Sequence, residues 1–349
     1  MKDTKIIDID CNNIDEEKIS FCGSILNRGG TVAFPTETVY GLGANALDEK
    51  AVKKIYEAKG RPSDNPLIIH ISNIKDIEPL VWEIPEAANR AMKSFWPGPL
   101  TLIFKKSKIV PDIITAGLDT VAIRYPRHPI AEMLIKKAKV PIAAPSANLS
   151  GKPSPTKGSH VIQDLMGRVD AIVVGEDCNV GLESTVLDLT VDIPTILRPG
   201  GITKEMLEEI FDRVEVDPAL KDQSILTPKS PGMKYTHYAP KADIVIYEGE
   251  ESRVVNRIGE KVDELIANGK SVGIICTNET RNFYSVGLIK SVGSRKDMKT
   301  IASRLFGILR DFDDTDVDII LAEAIEEVEL GQAIMNRLSK ASGYRIKKV

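Results

Sequence analysis

At 349 residues the chain has room for two domains of ordinary size, and 42% hydrophobic with 28% charged residues excludes a disordered or fibrous chain. A formal charge of −4, from 46 basic and 50 acidic side chains, gives no sign of a protein built to coat nucleic acid or an anionic membrane. The four cysteines (11, 22, 178, 276) form no C-x-x-C pair and the four histidines (70, 128, 160, 237) never stand three or four apart, which excludes a disulfide scaffold, a structural zinc and an H-E-x-x-H protease.

In chain order, a helix is expected over 15–27, with Ile19, Cys22 and Leu26 on one face and Gly29-Gly30 ending it. A short strand follows at 31–34. Asp48 suits the N-cap of a helix reaching 58, with Val52, Ile55 and Tyr56 inward. Further strands are expected at 67–71, 100–104, 121–125, 142–144, 171–174, 185–189 and 195–197, and helices at 85–95, 130–139, 159–166 and 204–211. This mixed order predicts α/β structure with a twisted, mixed sheet rather than a regular βαβ series. Residues 212–240 are punctuated by Asp217-Pro218, Thr227-Pro228, Ser230-Pro231-Gly232 and Ala239-Pro240 and read as a linker. The remainder alternates strand (244–247), helix (252–268, closed by Gly269), strand (272–276), helix (around 298–308), strand (317–321) and a closing helix (332–342). That is the signature of a small parallel, Rossmann-like α/β domain. The expected division is therefore 1–211, 212–240 and 241–349. No apolar run approaches the ~20 residues that span a bilayer, and the charged first ten residues lack a signal-peptide core. The chain reads as cytoplasmic, without a membrane partner.

Several segments could carry chemistry. Pro35-Thr-Glu-Thr-Val-Tyr-Gly-Leu-Gly43 gathers hydroxyls, a carboxylate and a phenol without core periodicity. Its Gly41–Ala46 portion fits G-x-G-x-x-A, but Pro35 interrupts the strand and the next helix starts too late for a dinucleotide fingerprint. Lys59 and Arg61 either serve a helix C-terminus or hold polyphosphate on a loop stiffened by Pro62 and Pro66. His70 sits in a strand, where a lone histidine is more often a satisfied core residue than a catalyst. Thr120, Ala122 and Arg124 share one strand face, so Arg124 points either into a cleft or out to solvent. Ala143-Ala-Pro-Ser-Ala-Asn148 offers small side chains and oriented dipoles, or simply a turn. Ser154, Ser184 and Arg198 stand at loop or strand ends. Walker A, G-x-S-x-G and kinase patterns are absent.

Taken in order, Pro-Thr-Glu-Thr-Val-Tyr-Gly-Leu-Gly, Lys59-x-Arg61-Pro, Asn65-Pro-Leu, Trp96-Pro-Gly-Pro-Leu-Thr, Arg124-Tyr-Pro, Ser146-Ala-Asn148 and Arg198-Pro-Gly-Gly resemble the YrdC-type threonylcarbamoyl-AMP synthases from about residue 15 to 210. The segment 230–240, together with the domain after it, resembles the long two-domain form. The resemblance implies a twisted open sheet with a large concave cavity. It also implies synthesis of L-threonylcarbamoyladenylate from L-threonine, bicarbonate and ATP, with pyrophosphate released. The product would serve threonylcarbamoylation of adenosine 37 in tRNAs reading ANN codons, through separate transferase proteins; direct contact with tRNA stays open.

By the same resemblance Thr38, His70, Arg124, Ala144 and Ser184 would hold threonine. Arg61, Asn65, Thr120, Ser146, Asn148, Ser154, Arg198 and, from the linker, Tyr235 and His237 would hold ATP. Lys59 and Arg61 would act on the phosphates as the catalytic cations. Mg²⁺ is expected with the nucleotide, without named protein ligands. The linker would close over the active site. Two alternatives remain at this point: the hydrogenase-maturation carbamoyltransferases, whose acylphosphatase and zinc modules this chain lacks, and a non-catalytic RNA-binding module of the same fold.

Overall fold

A computed structural model describes residues 2–220 and 238–349. They form two compact units.

The first unit runs β1 (Lys5–Asp8), α1 (Glu16–Asn27), β2 (Val32–Phe34), β3 (Gly41–Asn45), α2 (Glu49–Lys59), β4 (Ile68–His70), α3 (Glu86–Phe95), β5 (Leu100–Lys105), α4 (Asp112–Thr115), β6 (Thr120–Arg124), α5 (Pro129–Ala138), β7 (Ile142–Ala143), α6 (Gly158–Leu165), β8 (Ala171–Val174), β9 (Thr185–Asp188), β10 (Thr195–Arg198), α7 (Lys204–Glu208) and β11 (Glu215–Val216). Its strands form one mixed sheet in the order β1-β8-β2-β3-β7-β4-β6-β5-β9-β10-β11. Helix starts follow local chemistry. Asp15 accepts hydrogen bonds from the amides of Glu17 and Lys18, and Asp48 from those of Lys50 and Ala51. Gly60, at φ 60°, ends α2 and turns the chain towards Arg61. The faces of α1 and α5 pack on the β2 side of the sheet through Ile19, Leu26, Leu134 and Phe34. A larger core holds Tyr40, Ile55, Leu67, Leu102 and Ile123.

The second unit runs β12 (Asp243–Glu248), α8 (Glu251–Ala267), β13 (Val272–Cys276), β14 (Leu288–Ser291), α9 (Met298–Asp313), β15 (Ile319–Glu323), α10 (Leu330–Ala341) and β16 (Ile346–Lys348). All its strands pair in parallel, in the order β14-β13-β15-β12-β16. The buried Tyr238, at φ 69°, stacks 5.0 Å from the Phe306 ring of α9.

Several expectations are corrected. Residues 41–45 are strand β3 rather than loop. Gly43 lies so close to Phe34 and Ile142 that a Cβ there would meet their side chains at 2.9 and 2.8 Å, so strand packing accounts for this glycine. Residues 215–216 pair with β10, which extends the first sheet beyond 211. The last helix is followed by an edge strand, β16, which its exposed Lys-rich pattern concealed. β1 and β14 were also missed, being short and half exposed. The strand expected at 317–321 lies two residues later. Among the described residues no helix is long and apolar enough to cross a membrane.

Candidate active site

Strand pairing builds the site. His70 of β4 lies beside Arg124 of β6, Arg124 opposite Thr101 of β5, Thr101 beside Val186 of β9, and Val186 opposite Arg198 of β10. Paired residues face the same way, so this row carries His70, Arg124, Thr101 and Arg198 on one face of the sheet. Thr120 shares that face at the other end of β6 and is half-buried. A small apolar patch of Ile68, Ile103, Ala122, Val186 and Leu197 lies among them.

Arg124 is the centre of one group. It is 4% exposed and donates from Nη1 to Thr38 Oγ1 at 2.9 Å and from Nε to the Gly98 carbonyl at 3.3 Å. Its Nη2 stands 2.7 Å from Glu37 Oε2. That last contact is an ion pair without hydrogen-bond alignment, since neither atom has a hydrogen-bond partner among the described residues. The loop before β3 holds Thr38 in place: Thr36 Oγ1 accepts from the amides of Thr38 and Val39 and lies 2.9 Å from Thr38 Oγ1. Burial and the neighbouring Arg124 charge push the His70 pKa down to about 3, leaving a neutral imidazole. Its Nδ1 is 3.2 Å from the Ile68 carbonyl, and its ring meets Phe34 edge to face. Ala144 follows β7, its amide donating to Ile68.

Ser184 and Arg198 form a second group. Ser184 Oγ lies 2.7 Å from Thr101 Oγ1, and Arg198 donates to both the hydroxyl and the carbonyl of Ser184. Ser154 Oγ donates to Glu183 Oε1 at 2.6 Å. Gly200 passes directly over this segment; a Cβ there would lie 2.4 Å from the Glu183 carbonyl oxygen and from the Thr185 nitrogen.

The third group lies at the end of α2. Lys59 is 3% exposed, and its Nζ donates to the carbonyls of Ser146 and Asn148 at 2.5 and 2.6 Å. Ser146 Oγ in turn donates to Asn148 Oδ1. Lys59 therefore pins the 146–148 loop through its main chain. Arg61 Nη2 reaches the Asn65 carbonyl at 3.4 Å. The Asn65 side chain is fully buried, and neither its Oδ1 nor its Nδ2 has a hydrogen-bond partner among the described residues. A buried amide left bare in this way is costly unless something satisfies it. Tyr235 and His237 lie outside the described residues.

Reading the sequence missed Glu37, Thr101 and Glu183. Glu37 was visible only as the carboxylate of a loop motif. Thr101 closes the Trp96-Pro-Gly-Pro-Leu-Thr motif but was given no role, and only pairing with β6 sets it beside Arg124.

A family model described as telomere recombination matches residues 24–200, and one described as threonylcarbamoyl-AMP synthase, C-terminal domain, matches 202–343. The chain is 51% identical to the threonylcarbamoyl-AMP synthase of Pyrococcus abyssi, over 96% of this chain and 97% of that one. It is 52% identical to that of Bacillus subtilis, over 95% of each. The crystal structure of P. abyssi Sua5 complexed with L-threonine matches at TM-score 0.95 with 50% identity, covering 99% of this chain and all of the other.

Proposed function

The chain belongs to the threonylcarbamoyl-AMP synthase family, and from that premise we propose that it joins L-threonine, bicarbonate and ATP into L-threonylcarbamoyladenylate, releasing pyrophosphate. The product feeds transferase proteins that modify adenosine 37 of tRNAs reading ANN codons. The observation that carries the reading is Arg124, a buried guanidinium set against a threonine hydroxyl and a neutral imidazole, in a chain 50% identical to a protein crystallised with L-threonine.

The chemistry needs two steps. Threonine's amine and bicarbonate form a carbamate, and a carbamate oxygen then displaces pyrophosphate from the α-phosphorus of ATP. The second step is phosphoryl-like, so it is accelerated by positioning and by fixed positive charge more than by a covalent nucleophile. Arg124 supplies a planar fork for the amino-acid carboxylate. Thr38, Ala144 and Ser184 complete that pocket, and neutral His70 offers a hydrogen bond without adding charge. Arg61 and Arg198 face the nucleotide phosphates, with Asn65, Thr120, Ser146, Asn148 and Ser154 around the rest of ATP. Lys59 fixes the 146–148 loop beside them. Mg²⁺ enters with ATP. Phosphate oxygens and water would supply most of its ligands.

The test is incubation with all three substrates, measuring pyrophosphate and detecting the adenylate by mass. Omitting threonine or bicarbonate should abolish both signals. Equal pyrophosphate from ATP alone would overturn the reading.

A further inference from the structure

Carbamate formation has a proton problem. An α-ammonium has no lone pair and cannot attack carbon, so one proton must leave nitrogen before the N–C bond forms. Glu37 stands where that proton would go. Its Oε1 is committed, accepting from the Arg127 amide at 3.1 Å. Its Oε2 is buried, 2.7 Å from Arg124 Nη2, and makes no hydrogen bond among the described residues. The α-nitrogen of an amino acid lies only about 3 Å from its own carboxylate oxygens, because both hang on one carbon. A substrate carboxylate taken by the Arg124 fork therefore brings its ammonium within reach of Oε2.

We propose that Glu37 binds the α-ammonium of threonine and accepts one of its protons, which rests on the threonine-carbamoylating reading above. The step balances. The ammonium gives one proton to Glu37. The resulting amine attacks bicarbonate carbon, the C–OH bond breaks, and the departing hydroxide takes a second nitrogen proton as water, leaving the carbamate. The incoming carboxylate shares Arg124 with Glu37, so the ammonium arrives beside a carboxylate that is already in place. The other groups facing Glu37 are His128 and Glu132 at the start of α5, and Cys178. Burial holds the His128 pKa down and the Cys178 thiol up, so at neutral pH neither adds a charge beside Glu37. Burial raises the Glu132 pKa, with the Glu37 charge adding to it.

The experiment measures threonine- and bicarbonate-dependent pyrophosphate release across pH for wild type, Glu37→Gln and Glu37→Asp, with threonine binding by calorimetry. Glu37→Gln should lose kcat by about 10²-fold while still binding threonine. Its residual rate should climb tenfold per pH unit on the alkaline side, where solution supplies free amine. Glu37→Asp keeps a proton acceptor and should retain the wild-type profile at lower kcat. It also carries the test should Glu37→Gln fail to fold. A wild-type kcat in Glu37→Gln, or a loss of rate with an unchanged pH profile, would overturn the proposal and leave Glu37 as a prop for Arg124. An inactive wild type would instead overturn the reaction itself, and the proposal with it.

Discussion

Arg198 grips Ser184 twice, by Nη2 to the hydroxyl at 3.1 Å and by Nε to the carbonyl at 3.0 Å. On the proposed function Arg198 faces ATP and Ser184 faces threonine, so a residue of one substrate's pocket would hold a residue of the other's. Arg198→Ala should therefore weaken threonine binding even without ATP, by about fivefold for a lost hydrogen bond of ~1 kcal/mol. Calorimetry in the absence of nucleotide measures this. Unaltered threonine affinity would mean that Ser184 keeps its place without Arg198.

Arg124→Lys should raise the KM for threonine by about tenfold or more, because a point charge cannot replace a planar fork shared among a carbonyl, a hydroxyl and two carboxylates. The KM for ATP should stay within a few-fold. A parallel rise in both would place Arg124 in general architecture rather than at threonine.

His70 gives a pH signature in stability. The imidazole is depressed from about 6.5 to about 3 in the folded state, chiefly by burial and then by Arg124. Above pH 6.5 it is neutral in both folded and unfolded chains and contributes nothing. Below that, only the unfolded chain takes up the proton, so stability falls with pH towards 3, at up to ~1.4 kcal/mol per pH unit. His70→Gln should flatten the decline in urea midpoint between about pH 6.5 and 4.5. His128, also held down by burial, leaves a residual slope.

Lys59→Met should cost about 1–3 kcal/mol of stability by leaving the carbonyls of Ser146 and Asn148 without their donor. It should also raise the KM for ATP, as the 146–148 loop loses its tie. Wild-type thermal stability with a slow kcat would instead make the ammonium a direct partner of the phosphates.

Local patterns made the helices legible. Asp15 and Asp48 announce their caps, and the apolar stripe Ile19, Cys22, Leu26 is the one the fold buries. Edge strands were illegible, because β1 and β16 bury little and so carry no alternation. In the site, the motifs included Arg124 and Thr101 and the resemblance added Ser184, yet only cross-strand register shows that Thr101 lies beside both. Glu37 escaped notice because it stood in the sequence only as the carboxylate of a loop motif, and only the fold sets it beside Arg124.

Asn65 makes the protein without nucleotide less robust than its core would allow. Two bare amide atoms in a fully buried side chain are tolerated only if selection favours what they catch over what they cost. Asn65→Leu, with the same branched shape and no polar atom, should melt higher than wild type and show a smaller thermal shift on adding ATP than wild type does. A laboratory screen for thermal hardiness alone would then drift towards inactive variants through this one position.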